Sequence, residues 1–89
     1  MRESPQIGQI VRSRAGRDKG KTYLVIRVLD ERYVELADGS VRSVTDPKRK
    51  NILHLAPAGP PDVRVMEGLA SGKGATNDEI IRALASIQS

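Results

Sequence analysis

Arg14, Arg17, Lys19 and Lys21 fall within one short stretch, interleaved with Gly16, Asp18 and Gly20. Glycines let a backbone turn tightly and bare its N–H groups, and the cationic heads around them supply charge, so the combination suits contact with a phosphate backbone. Arg12 lies two residues before Arg14, on the same face of an extended strand, and lengthens the cluster into a strip leading from strand to loop. Asp18, inside the glycine turn, reads as a turn former. A second basic run, Lys48-Arg49-Lys50, follows the break at Asp46-Pro47 and reads as an exposed loop. Tyr23 and Tyr33 are the only aromatic residues in the chain. Readers of single-stranded bases need several exposed rings, so the expected mode is recognition of phosphates and shape, with Tyr23, nearest the loop, as the one stacking candidate. The candidate contact residues are therefore Arg12, Arg14, Gly16, Arg17, Lys19, Gly20, Lys21, Tyr23, Lys48, Arg49 and Lys50.

Other chemistry finds little support. Cysteine is absent and His54 is the single histidine, which leaves no thiolate, no metal cluster and no nucleophile with a positioned base. His54 itself reads as a structural residue. The stretch Gly68-Leu69-Ala70-Ser71-Gly72-Lys73-Gly74 has the look of a phosphate loop. Glu67, however, stands where the first glycine is required and Gly74 where Ser or Thr is required, so nucleotide hydrolysis is not supported. A non-enzyme without cofactor or metal is expected. Residues 1–20 contain five cations and no sustained apolar run, so no secretory signal or membrane span can be drawn there, and a cytoplasmic monomer without membrane contact is the expectation.

The charge is unevenly placed. Residues 1–55 carry twelve Lys or Arg against seven acids, a balance of +5, while residues 56–89 carry three against four, and the chain totals +4. A basic balance alone can serve solubility; clustering in the first two thirds is what favours an anionic partner.

The elements that must hold these residues are short strands. Residues 7–14 and 22–29 are rich in β-branched side chains and flank the glycine loop. Asp30-Glu31 turns the chain into 32–37. Asp38-Gly39 then signals a type I′ hairpin pairing 32–37 with 40–45, and 51–55 supplies a fifth strand. Five such strands predict an all-β fold, a small bent barrel built from many aliphatic side chains. In a plain meander the first loop and the 48–50 run lie at opposite poles, roughly 20 Å apart. Ala56-Pro57-Ala58-Gly59-Pro60-Pro61 opens a Pro/Gly linker over 56–75, within which Val63–Met66 reads as a short strand or a clip onto the barrel. Thr76 and Glu79 have capping-box spacing and start an amphipathic helix over 76–88 with Ile80, Ile81, Leu84 and Ile87 on one face. A helix this short needs a surface to dock on, a second chain to pair with, or it frays. The expected organisation is a flexible N-terminus at 1–6, a barrel at 7–55, the linker and the helix.

The run from Gly8 to Lys21 followed by Val25 resembles the KOW motif of ribosomal proteins and transcription elongation factors, with Gly16 at its central glycine. Ala15–Lys21, then Arg27–Glu31 with Tyr33-Val34, Asp38-Gly39, Lys48–Asn51 and His54-Leu55, are similar in order to archaeal and eukaryotic large-subunit proteins of the KOW superfamily and their bacterial RNA-binding relatives. The resemblance spans 7–55. It implies a five-stranded SH3-like barrel that binds RNA, ribosomal RNA in particular, through the first loop. The alternative class is a protein-interaction module docking on RNA polymerase or a translation factor through the barrel's apolar side or the terminal helix.

Overall fold

A computed structural model describes residues 5–87. Residues 1–4 of the expected flexible N-terminus and residue 88 of the expected helix lie outside it. The strands are β1 (Ile10–Ser13), β2 (Thr22–Val28), β3 (Tyr33–Ala37), β4 (Lys48–Asn51) and β5 (Leu55–Gly59), followed by α1 (Val63–Ala70) and α2 (Asn77–Ser86). They form one antiparallel sheet in the order β4-β3-β2-β1-β5.

That order has a geometric consequence. β4 and β5 are the two edges, yet only a 3-10 turn, Ile52–His54, joins them. Four Cα steps reach at most about 14 Å. In a flat sheet the outer two of five strands stand about 19 Å apart. The sheet therefore curls until its edges approach, although no ladder joins β4 to β5 and the barrel is not closed. Val34 and Leu36 of β3 accordingly share a buried cluster with Leu55 of β5, together with Val11, Tyr23 and Val25, on the concave face.

The opposite face is buried as well. Ile10, Leu24 and Ala37 are register partners in a row across β1, β2 and β3. Val65 of α1 and Ile80, Ala83 and Leu84 of α2 complete their cluster. With both faces covered, adjacent strand residues such as Ile10 and Val11 are each almost inaccessible, and the strands read as continuous apolar runs rather than alternating ones.

Several expectations change. The expected strand at 40–45 is a loop. Asp38 Oδ1 accepts from the amides of Ser40 at 2.9 Å and Arg42 at 2.8 Å, which captures the donors a strand would use. Asn77, at the start of α2, then takes the amide of Val44 at 2.9 Å. Gly39, at φ +82°, lies so close to α2 that a Cβ there would collide with the Asn77 carbonyl oxygen. The fourth strand is instead the basic run 48–51, and 51–55 is split between the end of β4, the 3-10 turn and the start of β5. The stretch read as a linker holds most of β5 and α1, whose N-cap Asp62 accepts from Val65 at 3.0 Å, so Val63–Met66 is helical.

α2 begins where Thr76 and Glu79 place it, with both capping-box bonds made. The helix is docked, burying Ile80, Ala83 and Leu84, while Ile81 is exposed. Ile80→Ala is expected to lower stability by about 2–5 kcal/mol, because Ile80 is fully buried between helix and sheet. Denaturant unfolding measures this, and a loss well under 1 kcal/mol would mean that the helix does not close over the sheet.

Candidate nucleic-acid interface

The loop between β1 and β2 is built around Asp18, not merely turned by it. Asp18 is buried, at 5% exposure, and its Oδ1 lies 2.8 Å from Ser13 Oγ and 3.0 Å from Lys50 Nζ. Lys48 Nζ stands 3.0 Å from Oδ2 as an ion pair. Ser13 Oγ is also 3.0 Å from the Ala15 carbonyl; a hydroxyl has one proton, and the charged acceptor is the stronger claim on it. Lys50 gives a further hydrogen bond to Ala15 O at 3.2 Å. Burial alone would raise the Asp18 carboxyl, but the bonds from Lys48, Lys50 and Ser13 outweigh it and hold the group well below the usual carboxylate range.

Period-two alternation in β4 makes this possible. Lys50 pairs with Val34 and Lys48 with Leu36, so both lysines project from the concave face beside that cluster, and their heads reach the first loop. The separation of some 20 Å expected for a plain meander does not occur, because the sheet is curled and because the basic run is a strand. Arg49 points the other way, exposed, with its guanidinium carbon 4.2 Å from the centre of the Tyr33 ring.

The remaining loop cations face outward. Arg12, Arg14, Arg17, Lys19 and Lys21 are all exposed, and among the described residues none of them forms an ion pair. Gly16 and Gly20 adopt φ +85° and +91°, the left-handed region that lets the turn fold back on itself. The amides of Lys19, Gly20 and Lys21 donate to Gly16, Ser13 and Asp18 carbonyls at 3.2, 2.9 and 2.9 Å. These three amides close the loop on itself, and the cationic side chains project from it. Arg14 N–H donates to the His54 carbonyl at 2.7 Å, which fastens the start of the loop to the 3-10 turn, while the His54 side chain is exposed.

Tyr23 is not a stacking platform. It is 3% exposed within the concave cluster, and burial, followed by the nearby Asp18 charge, pushes its phenol up to about 12. The structure thus gathers the candidate residues into an outward set of five cations and an inward set of Lys48, Lys50 and Tyr23 around Asp18. Sequence reading missed Asp18 as an anchor, since its lysine partners lie some thirty positions away and no local spacing announces them.

No family model matches the chain. Over 78 residues, 88% of this chain and 69% of the other, it is 28% identical to the large ribosomal subunit protein eL14 of Pyrobaculum calidifontis. The chain resembles a KOW-type large-subunit ribosomal protein. A match of that length cannot be contained in 7–55, so the likeness extends into the part bearing the helices. It is a likeness to a non-enzyme family, in line with the lack of a catalytic constellation in the sequence. Among the described residues no cluster of His, Asp or Glu could hold a metal, and no helix is long and apolar enough to cross a membrane.

Two measurements test the anchor. Asp18→Ala leaves two ammonium groups without their counter-ion, that of Lys50 largely buried and that of Lys48 partly so, and is expected to cost about 3 kcal/mol. Because the folded carboxyl sits below the 3.8 of an ordinary aspartate, its stabilisation is complete above that value and is lost as pH falls through and beneath it. The stability difference between wild type and Asp18→Asn should therefore shrink as pH drops from about 5 toward 2; a constant difference would show that the charge contributes nothing. For Tyr23 the sign is reversed: the raised phenol stabilises the fold fully below 10.0, and the contribution disappears as pH climbs toward 12. In Tyr33→Phe, where Tyr23 is the sole tyrosine, tyrosinate absorbance should appear with a midpoint near 12, and a midpoint at the free-tyrosine value would contradict burial beside Asp18.

Proposed function

We propose that this chain is a non-catalytic RNA-binding protein of the ribosome that docks on folded ribosomal RNA through the β1–β2 loop. The observation that carries the reading is the set of five exposed cations, Arg12, Arg14, Arg17, Lys19 and Lys21, free of ion pairs among the described residues and displayed around a loop whose base is fixed by Asp18. A fixed array of positive heads suits a fixed array of phosphates, and the likeness to a ribosomal protein supports ribosomal RNA as the source of those phosphates. The likeness supports a ribosomal, cytoplasmic setting in the same way. A 3-10 turn between the fourth and fifth strands of a curled five-stranded sheet supports reading the fold as an open SH3-like barrel of the KOW type.

Recognition in this reading is by charge and shape. Tyr23 is withdrawn from the surface and the amides of Lys19, Gly20 and Lys21 are engaged within the loop, which leaves the Arg and Lys heads as its main means of contact. Lys48 and Lys50 contribute indirectly, by holding Asp18 and with it the loop.

Five phosphate contacts give an expected slope of log affinity against log salt of about −3.5 to −4.5. Fluorescence anisotropy with a folded fragment of large-subunit ribosomal RNA measures it, and binding nearly independent of salt would refute the reading. Replacing Arg17, Lys19 and Lys21 by Ala should flatten the slope by about 2 to 3 without unfolding the protein, because the three heads are exposed. An unchanged slope would move the contact away from this loop.

A further inference from the structure

We propose that Arg49, seated on the Tyr33 ring, forms a stacking site for an unpaired nucleobase, separate from the loop that holds the phosphates. The inference rests on the RNA-binding reading above and adds to it a second mode of contact.

Alternation along β4 divides the basic run by chemistry. Lys48 and Lys50 turn to the concave face and are consumed by Asp18, whereas Arg49 projects from the convex face, where it shares a surface with Tyr33 and Glu35 of β3. Its guanidinium carbon lies 4.2 Å from the ring centre, which is stacking distance. Among the described residues Arg49 forms no ion pair. The carboxylate opposite it, Glu35, faces Arg27, with Nε and Oε1 3.5 Å apart. One face of the guanidinium is therefore held against an aromatic ring, and the exposed side chain offers a flat, delocalised cation to solvent. Arg planes of this kind are surfaces on which splayed RNA bases stack, and a side chain already immobilised loses less freedom on binding.

The charge around the pair favours a base over a phosphate. Residues 27–35 carry Arg27 and Arg32 against Asp30, Glu31 and Glu35, and Arg49, paired with Glu35 across the ladder, brings that balance to zero, unlike the excess of the β1–β2 loop. Asp30 is further occupied by the amides of Arg32 and Tyr33, at 2.7 and 2.8 Å, which fixes the turn that leads into Tyr33. What distinguishes the site is a rigid plane, not an excess of charge. A side chain that supplies only charge would be as well served by lysine; stacking on two sides needs arginine.

The test uses a short single-stranded RNA carrying 2-aminopurine and the same sequence annealed to its complement. Wild type is expected to quench the 2-aminopurine of the single strand. Arg49→Lys, which keeps the charge and removes the plane, and Tyr33→Leu, which removes the ring beneath it, should each weaken single-strand binding about tenfold and abolish the quench. Affinity for the duplex and the salt slope should stay at wild-type values. Equal losses on single strand and duplex would identify a phosphate contact and overturn the proposal. Wild-type affinity and quenching in Arg49→Lys would overturn it too, while salt-dependent binding by the loop left the RNA-binding reading standing. Failure of wild type to bind the single strand would overturn this proposal, and only failure to bind the folded ribosomal RNA fragment as well would remove the RNA-binding reading with it.

Discussion

One buried carboxylate joins two parts of the molecule that backbone hydrogen bonds leave apart. The sheet is curled but β4 and β5 do not pair, so β4 depends on β3 for its ladder and on Asp18 for its other side. A lone carboxylate at 5% exposure would be expensive to keep charged. Two ammonium groups and a hydroxyl offset that cost, and the incomplete burial of Lys48 limits the desolvation on the cationic side. Such a network need contribute little net stability compared with an apolar plug of the same shape. Its effect is on conformation: it fixes where the first loop sits relative to the edge strand, and removing Asp18 strands two ammonium groups, whereas removing one lysine still leaves a matched pair.

That constraint also explains which parts of the molecule were legible in sequence. β1, β2 and β3 announce themselves through Ile10-Val11, the run Leu24-Val25-Ile26, and Val34 and Leu36, because their burial is local in pattern. The start of α2 is equally plain, since a capping box is a spacing rule satisfied within four residues. β4 was not legible. Lys48-Arg49-Lys50-Asn51 has almost no strand preference, and it is extended because Tyr33–Leu36 offers a ladder and Asp18 offers the lysines a destination. The loop at 40–45 erred in the other direction: Val41 and Val44 suggest a strand, but the Asp38 carboxylate and the Asn77 amide claim the amides that a ladder would need.

The basic strip was readable as a cluster, but its division was not. Spacing placed Arg12, Arg14, Arg17, Lys19 and Lys21 together, and all five are exposed. Nothing local separates Lys50 from Lys21 as a residue type; what separates them is that Lys50 leaves a strand whose ladder places it against Asp18, a tertiary property. Tyr23 illustrates the same limit. Its nearness to the loop in sequence suggested an accessible ring, but its register partner Val11 lies in the concave cluster, and the ring follows it inward.

The helices complete the polarity of the molecule. The convex face of the sheet carries an apolar row, Ile10, Leu24 and Ala37, that cannot remain open in water, and α1 and α2 cover it with segments from a part of the chain whose net charge is −1. The cover therefore adds no positive charge of its own, and the excess of the chain stays with the strands and the first loop. An uneven field of this kind orients a protein on a polyanion before any contact is made, since approach with the loop foremost is the attractive one. Orientation by the field and rigidity from Asp18 act on different steps. In the proposed RNA-binding reading, the first raises the rate of productive encounter, and the second lowers the entropy lost when the loop settles on phosphates. A chain with the same five cations on an unanchored loop would keep the steering and lose the rigidity, so the affinity gained from Asp18 should reside mainly in slower release rather than in faster association.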